Sequence, residues 1–156
     1  MGLERLVIFG IGVLGALVAY DSLRSRKIFV SYKYNGDAKY KNLLLAWSKH
    51  HRFNVEFDDV SSDISIDSRV ESEIKEGIRP HIEDADILLC IVGENTYKSK
   101  MVPWEIETAV SMGKKIVAVK TSMTNKTPKE LKSIGTVWAM SFTEKEIVKA
   151  LKKAVS

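Results

Sequence analysis

Met101-Val-Pro-Trp-Glu-Ile-Glu-Thr-Ala-Val-Ser-Met-Gly-Lys-Lys-Ile-Val-Ala-Val119 reads as a loop end, a short helix and a buried strand. Pro103 suits the first turn of a helix, where a missing N–H costs nothing. Ile106, Ala109 and Val110 repeat at helical spacing, and Gly113 stands where a left-handed C-cap is wanted. Two lysines then favour the negative helix end. Ile116–Val119 is a short β-branched run of the kind that fills a parallel sheet. Glu105 and Glu107 lie two residues apart in the helix's first turn, so they point in different directions. One can face a cleft while the other faces water, or both can simply complement the helix dipole.

Outward from this stretch, strand and helix alternate. Lys27–Lys33 reads as a first strand, Asn35-Gly36-Asp37 as a turn and helix N-cap, and Tyr40, Leu43, Leu44 and Trp47 as one helical face. Phe53–Asp59 is a second strand ending in two aspartates. Val70, Ile74, Ile78 and Ile82 mark a helix that Pro80 is expected to kink or break. Ala85–Val92, the most hydrophobic run, is expected at the centre of the sheet. Thr127-Pro-Lys-Glu resembles a short helix start, and Thr136–Met140 is a last strand. Thr143–Glu146 is a capping box before a closing helix with Ile147, Ala150, Leu151 and Ala154 inward. The expectation is an α/β fold, a five-stranded parallel sheet with helices on both faces, over residues 27–156.

The 156 residues, 45% hydrophobic and 28% charged, suit one globular domain and exclude a disordered chain. A net charge of +4 with scattered lysines gives no nucleic-acid surface. The single cysteine, Cys90, excludes a disulfide framework and reads as core. His50 and His51 diverge on their helix and have no further ligands nearby, so no metal is expected.

The N-terminal segment, residues 1–26, admits several readings. Leu6–Tyr20 carries no charge, spans roughly 22 Å as a helix, and is followed by Arg24, Arg26 and Lys27. It reads first as a transmembrane anchor with the domain on the cytoplasmic side. Gly10-Ile-Gly12-Val-Leu-Gly15 also matches a dinucleotide-binding turn, though Ser31-Tyr32-Lys33 replaces the acidic residue such a turn needs. A cleaved signal peptide or a buried helix are further alternatives, the latter leaving the chain simply cytoplasmic.

In parallel sheets ligands bind at the carboxyl ends of the strands. Projected there are Ser31, Tyr32 and Lys33; Asp58 and Asp59; Gly93–Thr96; Thr121 and Ser122; with Trp104 and Glu105 on the same edge. A receiver-type phosphorylation site would need acidic residues where Ser31-Tyr32 and Gly93 stand.

Ile28-Phe-Val-Ser-Tyr32, Asp58-Asp59, Ile64-Ser-Ile66, Ile87–Gly93 with Thr96, and Val102-x-Trp-Glu-Ile-x-x-Ala109 with Gly113-Lys-Lys-Ile116 together resemble a Toll/interleukin-1 receptor (TIR) domain. More narrowly, they resemble the TIR-like proteins of the bacterial Thoeris antiphage system. The resemblance implies an enzyme that cleaves NAD at the nicotinamide glycosidic bond, with NAD as substrate and no cofactor. It implies Glu105 as the catalytic carboxylate, aligned by the Glu-Ile-x-x-Ala spacing. Ser31, Tyr32, Lys33, Asp58, Asp59, Thr96 and Trp104 would bind substrate. Met101 stands where many TIR enzymes carry tryptophan, and Trp104 directly before the glutamate is similar to the Thoeris branch. Implied partners are a phage-derived trigger, further copies of the chain through TIR surfaces and the N-terminal helix, and a separate effector reached through an ADP-ribose-derived signal. A non-catalytic TIR adaptor, with Glu105 only a helix-start carboxylate, is the alternative from another class. An NAD(P)-binding Rossmann protein using Gly10–Gly15 is a third.

Overall fold

The computed structural model describes residues 23, 26–49, 55–58 and 70–156. Among these residues, five strands form one parallel sheet: β1 (Lys27–Ser31), β2 (Glu56–Asp58), β3 (Ile87–Val92), β4 (Lys115–Lys120) and β5 (Val137–Ala139). Their order is β2-β1-β3-β4-β5, and every pairing is parallel. The expected α/β architecture is therefore present. The hydrophobic third strand is its centre, with all six residues buried. Such burial on both faces is what a continuous Ile-Leu-Leu-Cys-Ile-Val run specifies.

Among the described residues, four helices cover the sheet: α1 (Tyr34–Lys49), α2 (Glu71–Asp84), α3 (Met101–Ser111) and α4 (Glu144–Val155). Alternate strand residues separate two cores. On one face Ile28, Val30, Leu89, Ile91, Val117 and Val119 meet Leu44 of α1 and Ile147, Ala150, Leu151 and Ala154 of α4. On the other, Phe29, Leu88, Cys90, Val92 and Ala118 meet Ile82 of α2 and Val102, Ile106 and Ala109 of α3. The first core also takes in Leu23, ahead of β1.

Local signals explain most boundaries. Gly113 takes φ +72° directly after α3, as a C-terminal glycine should. The Thr143 hydroxyl accepts from the Glu146 amide at 3.3 Å, capping α4. The Thr127-Pro-Lys-Glu signal yields a single 3-10 turn, Lys129–Leu131. Pro80 does not break α2, which runs on to Asp84. The carbonyl it leaves unbonded lies on the exposed face, while Ile78 and Ile82 hold the opposite face to the core. The helical face read through Tyr40, Leu43, Leu44 and Trp47 is too wide. Leu44 is fully buried and Tyr40 and Trp47 pack beside it, but Leu43 is exposed.

Residues 6–20, read above as an anchor or as a dinucleotide turn, lie outside the described residues. So do His50, His51, Asp59 and Ile64-Ser-Ile66. Among the described residues, no helix is long and apolar enough to cross a membrane.

Leu44→Ala is expected to cost about 2–5 kcal/mol of stability, and Leu43→Ala under about 1 kcal/mol. Urea denaturation of the two variants checks the assignment of the buried face.

Candidate active site

The chain order around β1 reverses: β2 lies on one side of it and β3 on the other. The chain passes from β1 outward to β2, then returns to place β3 on the other side. The carboxyl ends of β1 and β3 therefore flank a topological switch point, where open α/β sheets leave a crevice. Ser31 ends β1 and pairs in register with Cys90 of β3. By strand alternation Ser31 shares the face of Phe29, the face covered by α3.

Glu105 comes down from α3 onto that spot. The Ser31 hydroxyl donates to Glu105 Oε1 at 3.3 Å, and both residues are buried. Burial pushes the Glu105 carboxyl up to about 8, opposed only by the Ser31 hydrogen bond. Glu107 is exposed, so the two glutamates do diverge. Their place in the helix differs from the sequence expectation. The Ser99 hydroxyl accepts from the Val102 amide at 3.1 Å and starts α3 at Met101. Glu105 consequently sits in the second turn, where the helix dipole gives a carboxylate little. The dipole alone does not account for a buried carboxylate there.

A second buried carboxylate lies across β3. The first turn of α1 is kinked at Asn35 and Gly36, the latter at φ +111°, and Asp37 beyond the kink points inward rather than capping the helix. Thr96 Oγ1 donates to Asp37 Oδ2 at 3.3 Å and accepts from the Gly93 amide at 2.8 Å. The Asp37 carboxylate lies so close to Gly93 that a Cβ there would overlap it. Burial raises the Asp37 carboxyl, against the pull of Thr96 and the nearby Lys33 and Lys39 charges. Both carboxylates are felt by the buried Cys90 thiol, which burial, then Glu105, then Asp37 push up. Asp37 was legible only as a turn residue. Its signal is the Gly93-x-x-Thr96 spacing, which provides a space with no side chain and a hydroxyl one turn later.

The remaining residues named from the sequence are dispersed. Thr96 and Lys33 serve Asp37 rather than Glu105. Tyr32 faces the α1 core, and its hydroxyl is buried without a hydrogen-bond partner among the described residues. Asp58 Oδ2 lies 2.7 Å from His81 Nδ1 on α2. Trp104 is half-buried, with Lys75 Nζ and the Arg79 guanidinium 5.6 and 5.5 Å from its ring centroid. Among the described residues, only Ser31 meets Glu105 by hydrogen bond. No group of three or more metal-ligating side chains occurs among the described residues.

The family model for the TIR-like domain of the Thoeris protein ThsB matches residues 29–126, from β1 to the loop after β4. The chain belongs to the Thoeris ThsB TIR-like family. Glu105, Ser31, Asp37 and Thr96 all fall inside the matched span, and Gly10–Gly15 falls outside it. Among solved structures this TIR-like domain is similar to a CMP N-glycosidase, BcmB, from Clostridium botulinum. The two are 18% identical with a TM-score of 0.54, over 81% of this chain and 98% of that one. It is also similar to a 2-deoxyribosyltransferase from Bacillus psychrosaccharolyticus, at 14% identity and a TM-score of 0.58, over 77% and 90% of the two chains. At such identities the likeness is one of fold. No curated protein matches the sequence.

Two measurements follow from this geometry. Unfolded, Glu105 releases its proton near the ordinary value of 4.5; folded, it holds the proton to about pH 8. Its contribution favours the folded state below about pH 4.5 and is lost as pH rises toward 8, by on the order of a few kcal/mol. Glu105→Gln should remove that slope from the pH dependence of urea midpoints between pH 5 and 8. Separately, Gly93→Ala should cost about 1–3 kcal/mol in the native background and clearly less beside Asp37→Ala. Additive losses in that double-mutant cycle would show that the two groups do not press on one another.

Proposed function

We propose that this TIR-like domain cleaves NAD at the nicotinamide N-glycosidic bond and passes the ADP-ribose part on as a signal. The observation that carries the reading is Glu105, a buried carboxylate held by Ser31 at the carboxyl end of β1, beside the switch point. The fold shared with a CMP N-glycosidase and a 2-deoxyribosyltransferase supports a scaffold suited to chemistry on a bond between sugar and base.

The chemistry follows from charge. NAD carries a cationic nicotinamide ring, which leaves as neutral nicotinamide while positive charge develops on the ribose. A carboxylate beside that carbon stabilises the oxocarbenium-like transition state and can hold the ribose hydroxyls. Glu105 is largely protonated near neutrality in the unliganded chain, so it must ionise to act. The bound pyridinium supplies the opposite charge that lowers a carboxyl pKa. Substrate thus charges its own catalyst. The closed, neutral carboxyl also suits a sensor that stays silent until triggered, with the trigger opening the crevice. In this reading a phage product is the trigger, copies of the chain assemble through TIR surfaces, and a separate effector receives the nucleotide signal. Lys33 and Thr96 act from the Asp37 side.

A second reading is a non-catalytic assembly module. It is favoured by the same burial, because a neutral glutamic acid hydrogen-bonded to serine is a stable core pair. Turnover separates the two.

Glu105→Gln keeps size and the hydrogen bond to Ser31 but removes the charge. Nicotinamide release from NAD by the triggered protein should fall by at least ~10²-fold, with Glu107→Gln near wild type. The kcat/KM of the wild type should rise with pH as free Glu105 ionises, near about 8, while kcat rises at lower pH because bound substrate favours the anion. Equal cleavage by Glu105→Gln and wild type would leave the assembly module standing.

A further inference from the structure

On the far side of β3 from Glu105, the loops after β1, β3 and β4 enclose a hollow of about 530 Å³, within the range of small-molecule sites. Asp37 forms its floor, and Tyr40 and Tyr97 contribute aromatic walls. Lys39 and Lys126 stand at the rim, each with its ammonium on a ring face, 5.1 Å from the Tyr40 centroid and 4.9 Å from that of Tyr97. Neither lysine forms a salt bridge among the described residues.

The third wall is fixed from within. Asn125, buried, donates to the Val92 carbonyl at 2.9 Å and to Thr121 Oγ1 at 2.8 Å, which folds the β4 loop back over the end of β3. Ser122 and Thr124 share a hydroxyl–hydroxyl hydrogen bond at 3.0 Å on that loop and turn toward the hollow.

We propose that this hollow binds the ribose phosphate of a nucleotide, and in NAD the ADP-ribose half. Polarity fixes the direction of entry. A buried carboxylate floor repels phosphate and accepts hydrogen bonds from sugar hydroxyls, so a neutral polyol goes inward. The two ammonium groups and the loop hydroxyls then meet phosphate at the rim. Glu94 shares that rim and offsets one of the positive charges, so a bare polyanion gains little. Aromatic faces near the lysines suit a flat base or the apolar face of a sugar.

The assignment of NAD rests on the glycosidase reading, but the pocket can be tested without it. Glu105 bonds Ser31, which pairs in register with Cys90 of β3, and Asp37 abuts Gly93 just past the end of β3, so a dinucleotide crossing the end of that strand reaches both carboxylates. Its nicotinamide ribose would lie on the α3 side and its phosphates on the α1 side.

The test is calorimetric titration of ADP-ribose into full-length Glu105→Gln protein, which binds without turnover. Adding Lys39→Ala and Lys126→Ala should weaken binding at least ~10-fold, and Tyr97→Ala should weaken it independently of charge. Inorganic phosphate alone should bind far more weakly than ADP-ribose in every protein. In triggered wild-type background, the two lysine changes should raise KM for NAD more than they lower kcat. Absence of ADP-ribose binding, or binding that the lysine and tyrosine changes leave intact, overturns the pocket. Loss of binding on those changes, together with a triggered wild type that releases no nicotinamide, keeps the pocket and removes only the glycosidase reading.

Discussion

Asp37 pressed against the α-carbon of Gly93 is the constraint on which the rest of the crevice depends. The contact permits no side chain at residue 93, and so it fixes how closely α1 approaches the end of β3. Thr96 locks the arrangement by engaging both partners at once. Thr96 opens a 3-10 turn, Thr96–Lys98, that delivers Ser99 to the start of α3. Helix α3 then brings Glu105 down onto Ser31. A contact on one face of the sheet thereby sets the position of a carboxylate on the other.

The two carboxylates differ in what surrounds them. Asp37 has a hydroxyl partner and feels two lysines, so its ionised form has local support. Glu105 has only one serine against full burial. An isolated buried charge is expensive, and proteins usually avoid it by keeping the group neutral. A carboxyl of that kind on a rigid helix is poised for a cationic ligand, whose arrival supplies the missing countercharge. The same arrangement without a ligand is an ordinary core pair, which is why fold and burial alone do not make an enzyme.

Periodicity carried most of the architecture. Alternation, the β-branched run of β3, Gly113 and the Thr143 cap each act within a few residues, so they can be read locally. Errors arose where tertiary context decides. Pro80 sits on the exposed side of α2, where a missing hydrogen bond is tolerated. Leu43 lies one position beyond the stripe that the sheet covers. The start of α3 was set by Ser99, a cap that precedes the helical pattern by enough to shift Glu105 out of the first turn. Of the site, Glu105 and Ser31 were legible because family spacing marks one and the strand end marks the other. Asp58 shows the limit of that approach. It stands at the end of its strand as expected, yet His81 of α2 takes its carboxylate, and no spacing in the sequence links residues 58 and 81. Asp37 was hidden because a turn aspartate reads as a cap until its glycine partner, distant in sequence, is known to lie beneath it.

Cys90, the only cysteine in the chain, stands fully buried between these two carboxyl groups. Thiolate is the reactive form toward electrophiles and peroxides, and this thiol is held away from it by burial and by its neighbours together. The domain is therefore indifferent to oxidants that silence thiol-dependent proteins. Alkylation of Cys90 would therefore report the sheet coming apart.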